Sequence, residues 1–229
     1  MKYEGVVFDL DHTLFDRYAT LRSLAPDFCA RFDGWLARGM TAEKMASLLC
    51  EGDTNYIYHG WKRVFQFLCD KGAFDPVPEY EMYRQTLLDL FTKYAVPYSF
   101  TYSVLEELKA RGLKIGLITN GNGDIQAKKI ELLGLTDAFD CAILCGHFGV
   151  QKPDRAPFDE MARRLSIPAE KLFYVGDNPK CDVDASRNAG YTPIEVLTAK
   201  CKLQEFEPAE HRIETVAELP ALIDRLQSA

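Results

Sequence analysis

Asp9 and Asp11 stand two residues apart at the abrupt end of a short β-branched and aromatic run, Val6-Val7-Phe8. Two carboxylates so placed can share the work on a phosphate ester. One can be the nucleophile that forms an acyl phosphate, and the other the acid that protonates the leaving oxygen and later takes a proton from water. Further along the chain stand residues of matching type. Thr119, followed by Asn120, can donate a hydroxyl hydrogen bond to a phosphoryl oxygen, and Lys152 can act against one as a point charge. Asp177 can join Asp9 in supplying hard oxygen ligands to Mg2+, which binds through one or two carboxylates plus substrate phosphate.

Residues so far apart meet only if the fold gathers them. Asp9, Thr119 and Asp177 each follow a predicted strand, and Lys152 follows one a few residues later. The strands are read over 6–8, 113–118, 142–144, 172–175 and 192–197. Helices are read over 102–111, 124–133, 154–165 with Asp154 as N-cap, 182–189 and 216–227. This alternation implies parallel βαβ units and an α/β, doubly wound, mostly parallel Rossmann-like sheet. In such a sheet the C-terminal strand ends converge on one crevice, where ligands bind.

Residues 15–97 break the alternation. Their apolar positions recur at helical spacing, as in Leu21, Leu24 and Phe28, or Trp61, Val64, Phe65 and Leu68. The expected organisation is a core of residues 1–14 and 98–229 with an all-helical insertion over 15–97. The insertion is rich in aromatic residues, among them Trp35, Tyr56, Tyr58, Trp61, Phe65 and Tyr83, and most of these should form its core.

A net charge of −7 argues against a broad footprint for a nucleic acid polymer. A small phosphorylated partner is still compatible, because a metal ion and one or two cations can reverse the field locally. Seven scattered cysteines make no disulfide framework and suit a reducing, cytoplasmic setting. No stretch approaches the ~20 apolar residues of a membrane-spanning helix. Cys141, Cys145 and His147 lack a fourth zinc ligand, and Gly121-x-Gly123 lacks the third glycine of a dinucleotide loop.

Taken in order, Asp9-Leu10-Asp11-His12-Thr13, Thr119-Asn120, Lys152-Pro153 and Gly176-Asp177 with Asp182 resemble the four motifs of the haloacid dehalogenase-like hydrolases. The resemblance covers the whole core, and the insertion resembles the helical cap of subfamily I. It implies Asp9 as nucleophile and Asp11 as general acid and base. It further implies Mg2+ held by the Asp9 carboxylate, the Asp11 backbone carbonyl and Asp177. Thr119, Asn120 and Lys152 would bind the phosphoryl group, and Asp182 would support the metal or orient Lys152. The cap would close over the crevice and choose the substrate.

Asp11 separates two chemistries within this resemblance. A halide leaves without a proton, whereas an alkoxide needs one, so Asp11 favours a phosphatase acting on a small phosphate monoester, such as a nucleotide or sugar phosphate. The Thr-Asn-Gly turn with Asp124-Ile125-Gln126 is similar to the nucleotidase-like branch. A phosphoglucomutase-like phosphotransferase keeps both acids and stays open, as does a catalytically idle phosphate-binding protein. Receiver domains use similar residues, but their phosphorylated aspartate follows a later strand. Mn2+ could occupy the same oxygen site as Mg2+.

Overall fold

Val6, Val7 and Phe8 have no exposed surface, and burial on both faces suits a strand at the centre of a sheet. In the computed structural model, which describes residues 2–198 and 206–228, this strand is β1 (Gly5–Phe8). It is flanked by β2 (Lys114–Thr119) and β4 (Leu172–Gly176), with β3 (Cys141–Leu144) outside β2. On the other side lie β5 (Thr192–Val196) and β6 (His211–Ile213). The order is β3-β2-β1-β4-β5-β6, and all five pairings are parallel. Phe8 sits opposite both Leu117 and Val175, so three strands end side by side. The sixth strand is not among those expected from the sequence: His-Arg-Ile is too short and too polar to announce itself.

The chain divides into two compact units, one of them Arg17–Val96. That unit is built from α1 (Arg17–Arg31), α2 (Ala42–Tyr56), α3 (Trp61–Asp70) and α4 (Tyr80–Tyr94). Thr41 caps α2 by accepting from the Lys44 backbone N–H. An aromatic cluster fills its centre, with Phe28 4.7 Å from Phe32 and edge-on to Tyr83. Phe65 and Tyr83 are buried, whereas Trp35, Tyr56, Tyr58 and Trp61 are half-buried. Arg17 and Asp53 form a buried ion pair of 2.7 Å within the same unit.

The other unit carries the sheet together with α5 (Thr101–Ala110), α6 (Gly123–Leu132), α7 (Cys145–Phe148), α8 (Ala156–Leu165), α9 (Ala185–Asn188) and α10 (Leu219–Ser228). Val7, Ile118, Phe158, Met161 and Tyr174 are among the buried residues of its hydrophobic cluster. The outgoing and returning segments are tied together: the Tyr98 N–H and the Thr101 hydroxyl both donate to the Leu14 carbonyl.

Three helix starts differ from the sequence-based expectation, the simplest being α10, which begins at Leu219 after a 3-10 turn over Val216–Glu218. Helix α8 begins at Ala156, and Asp154 accepts from the Ala156 N–H at 2.8 Å from a turn outside the helix. The helix expected over 182–189 is instead a π-turn, Pro179–Asp184, followed by α9. Pro179 starts it, and the Asn178 side chain accepts from the N–H groups of Lys180 and Cys181. The wider turn serves to place Asp182. Among the described residues no helix is long and apolar enough to cross a membrane.

Candidate active site

Asp9 follows β1, Asp177 follows β4, and Thr119 is the last residue of β2. These strands are neighbours, and neighbouring strands run about 4.8 Å apart. The Asp9 N–H also continues the ladder to the Val175 carbonyl at 2.9 Å. Register alone therefore brings residues 9, 119 and 177 to one edge. Carboxylate oxygens of Asp9, Asp177 and Asp182 all lie within 4.8 Å of one another, and all three residues are buried.

Lys152 reaches the same place from the loop between α7 and α8. The Asn120 amide grips its backbone both ways, donating to the Lys152 carbonyl at 2.8 Å and accepting from its N–H at 2.9 Å. The ammonium lies among Asp9 Oδ1 at 2.8 Å, Asp182 Oδ1 at 2.7 Å, the Tyr174 hydroxyl at 2.7 Å and the Ile118 carbonyl at 3.0 Å. Its side chain is 1% exposed. Burial alone would depress this ammonium, but Asp182 and Asp9 outweigh it and hold the group above its ordinary range. Burial pushes the Asp9 carboxyl up to about 7, with Lys152 opposing and Asp182 and Asp11 adding to the rise.

Asp182 arrives through the π-turn. Its N–H donates to the Asn178 carbonyl, and its Oδ2 accepts from the Asn178 N–H at 3.0 Å while Oδ1 takes Lys152. The carboxylate lies so close under the end of β4 that a Cβ on Gly176 would stand 2.5 Å from Asp182 Cγ. Glycine is required at 176 by that approach. Such π-turns cluster at functional sites because the extra residue re-aims a side chain.

Asp11 is engaged differently from the other acids. Lys129 Nζ donates to both its oxygens at 2.8 Å, and Gln126 Nε2 donates to Oδ2 at 3.0 Å. The same amide nitrogen donates to the Thr119 hydroxyl oxygen. Lys129 and Gln126 are each 4% exposed. Together with Tyr174, these are site residues that the sequence motifs do not include. Two of them stand out only once burial is known: the buried positions of α6 are Gly123, Gln126, Lys129 and Ile130, a stripe where packing alone would call for apolar side chains.

An all-oxygen set of three buried carboxylates fits a hard divalent cation, and the mutual repulsion of like charges favours one. A thiol route does not fit: burial pushes the Cys145 thiol up and the Cys181 thiol to about 11, so neither is a thiolate near neutrality.

The family described as haloacid dehalogenase-like hydrolase matches residues 6–196. Glyceraldehyde 3-phosphate phosphatase of Methanocaldococcus jannaschii is 33% identical over 57% of this chain, and the match spans 58% of that relative's length. Pyrimidine 5'-nucleotidase YjjG of Escherichia coli is 25% identical over 83% of this chain and 84% of its own. Among solved structures, a HAD phosphatase from Thermococcus onnurineus aligns over 96% of this chain and 97% of its own, with a TM-score of 0.64 at 24% identity. The chain belongs to the haloacid dehalogenase-like hydrolases, in the phosphatase-like branch whose members are phosphoric monoester hydrolases.

Proposed function

We propose that this protein is a Mg2+-dependent phosphatase that hydrolyses a small phosphate monoester through an aspartyl-phosphate on Asp9. The observation that carries this reading is the buried Asp9 carboxylate at the end of the central strand. It lies 2.8 Å from Lys152 and within 4.8 Å of two further carboxylates. The names of the relatives support a triose phosphate, a sugar phosphate or a nucleotide as the substrate class. A cytoplasmic setting agrees with the six described cysteines, all free thiols.

In the first half-reaction a lone pair of the Asp9 carboxylate attacks phosphorus. The ester P–O bond breaks with its electrons onto the leaving oxygen, which takes a proton from Asp11. In the second, the Asp11 carboxylate takes a proton from water as that water attacks the aspartyl-phosphate. The acyl P–O bond breaks, returning the Asp9 carboxylate and inorganic phosphate. Lys152 neutralises charge on the phosphoryl oxygens, and the Thr119 hydroxyl donates to one of them. The Asn120 side chain already serves Lys152, so a phosphoryl contact from this residue falls to its backbone N–H. The Asp9 and Asp177 carboxylates and the Asp11 backbone carbonyl would hold Mg2+, and Asp182 would orient Lys152. When bound, the ion supplies charge to the transferring phosphoryl group.

The test is phosphate release from a panel of sugar, triose and nucleoside monophosphates, with Mg2+ and after chelation, in wild type and Asp9→Asn. Metal-dependent turnover that disappears in the variant is expected. Turnover by Asp9→Asn at the wild-type rate would overturn the reading.

A further inference from the structure

Burying an ammonium and a primary amide costs free energy that an apolar pair at the same helix positions would not. Lys129 and Gln126 are nevertheless buried three residues apart on one face of α6, and their polar atoms converge on two groups of the proposed chemistry. The Lys129 ammonium straddles the Asp11 carboxylate with two contacts of 2.8 Å, and its charge also lies 4.8 Å from the centre of the Phe15 ring. The Gln126 amide nitrogen has two hydrogens and serves two acceptors, Asp11 Oδ2 and Thr119 Oγ1.

We infer that Lys129 and Gln126 are positioning residues for the proton-transfer half of the reaction, holding the Asp11 carboxylate and the Thr119 hydroxyl as one rigid unit on α6. This rests on the function proposed above. The Asp11 side chain follows β1 on a tight loop, where Thr13, Leu14 and Phe15 all donate N–H groups to the Leu10 carbonyl. That loop fixes the backbone of residue 11, while the carboxylate keeps its own torsions. Three donated hydrogen bonds from α6 remove that freedom. They hold a carboxyl oxygen where a leaving oxygen must be met, and misplacing such a group by 1 Å is worth about 100-fold in rate.

Gln126 acts on Thr119 as well. By donating to Oγ1 it occupies one lone pair of the hydroxyl and leaves the O–H hydrogen as the donor. A phosphoryl oxygen needs that polarity. One amide therefore sets the phosphate-binding hydroxyl and the acid in fixed relation, and one ammonium holds both oxygens of the acid.

A positioning role for the acid has a signature that a packing role lacks. An ester with a basic leaving oxygen, such as glycerol 2-phosphate, needs the proton; an aryl ester with an acidic leaving group, such as p-nitrophenyl phosphate, needs it far less. The experiment measures kcat/KM for both esters with Mg2+ in wild type, Lys129→Met, Lys129→Arg, Gln126→Met, Asp11→Asn and Asp9→Asn. Lys129→Met should lose about 10- to 100-fold on the alkyl ester and less than about 3-fold on the aryl ester, the pattern expected of Asp11→Asn. Gln126→Met, which also releases Thr119, should lose on both esters and about 10-fold more on the alkyl one. Lys129→Arg, which keeps the charge, should recover most of the alkyl activity.

The ratio of the two activities is taken on one preparation, so it does not depend on how much of a variant folds. If Lys129→Met yields no enzyme, the ratio in Gln126→Met decides the matter by itself. Equal losses on both esters, or none on either, would overturn the inference. Failure of the underlying function would look different: Asp9→Asn would stay active, or Asp11→Asn would show no preference between leaving groups.

Discussion

Asp9→Asn should make the metal-free protein more stable near neutrality, even as it removes the proposed nucleophile. Burial raises the Asp9 carboxyl from 3.8 to about 7, and that value already includes the attraction of Lys152. Three pKa units at 1.36 kcal/mol each give about 4 kcal/mol of destabilisation by the charged acid. Water entering the site and small shifts of the neighbouring carboxylates lower this figure, so a gain of roughly 2 to 4 kcal/mol is expected at pH 8. The sign follows from linkage. Below about pH 4 the folded and unfolded chains both carry the protonated acid, and the wild type keeps its full stability. As pH rises towards 7 the unfolded chain sheds the proton first, and wild-type stability falls relative to the variant.

The assay is urea unfolding of chelated wild type and Asp9→Asn at a series of pH values between 4 and 8. The gap should open from near zero at the acid end and level off above pH 7. Adding Mg2+ should close part of it, because the ion stabilises the protein that binds it; at a hundred times its dissociation constant it adds about 2.7 kcal/mol. A chelated wild type more stable than Asp9→Asn at pH 8, or a gap that widens on acidification, would refute the reasoning. Either would mean that the pairing with Lys152 outweighs the burial of the charge.

Two other substitutions probe the same network from different sides. Lys152→Met removes the ammonium shared by Asp9 and Asp182, and should destabilise the chelated protein by about 3 to 5 kcal/mol in urea at pH 8 and abolish turnover; a loss under 1 kcal/mol would contradict the pairing. Gly176→Ala places a Cβ 2.5 Å from Asp182 Cγ, so turnover should fall by about 10- to 100-fold through displacement of Asp182, while circular dichroism stays that of wild type; undiminished turnover would show that the π-turn yields freely.

Hydrophobic run length makes most of the sheet legible in the sequence. Val6-Val7-Phe8 and Leu172 to Val175 are buried on both faces, and such runs announce themselves by β-branched and aromatic content. Strand β6 does not, because its three residues owe their conformation to β5 beside them. Helix starts are less legible for a local reason. Asp154 has the chemistry of a cap and accepts from the first N–H of α8, yet it stands one residue before the N-cap position, where an Asx turn has the same local signature. At 182 the helical signal is real, but Lys152 and the Asn178 N–H draw the Asp182 carboxylate under β4. The backbone widens by one residue to allow it.

The site divides along the same physical line. Asp9, Thr119 and Asp177 lie at the ends of adjacent strands, so sheet order is enough to bring them together, and the alternation of elements already implies a sheet whose C-terminal strand ends share one edge. Tyr174, Gln126 and Lys129 obey no such rule. Tyr174 has the sequence context of an ordinary strand aromatic, and only its hydroxyl, 2.7 Å from the Lys152 ammonium, distinguishes it from core. Gln126 and Lys129 sit on a helix whose exposed and buried faces cannot be told apart by polarity, since both carry charge. Their meaning is visible only once α6 is laid beside β1, because a polar residue on a buried stripe is costly unless its partner is already there. Active sites are where helical patterning is expected to fail, and that failure on α6 points to the two groups proposed to hold Asp11.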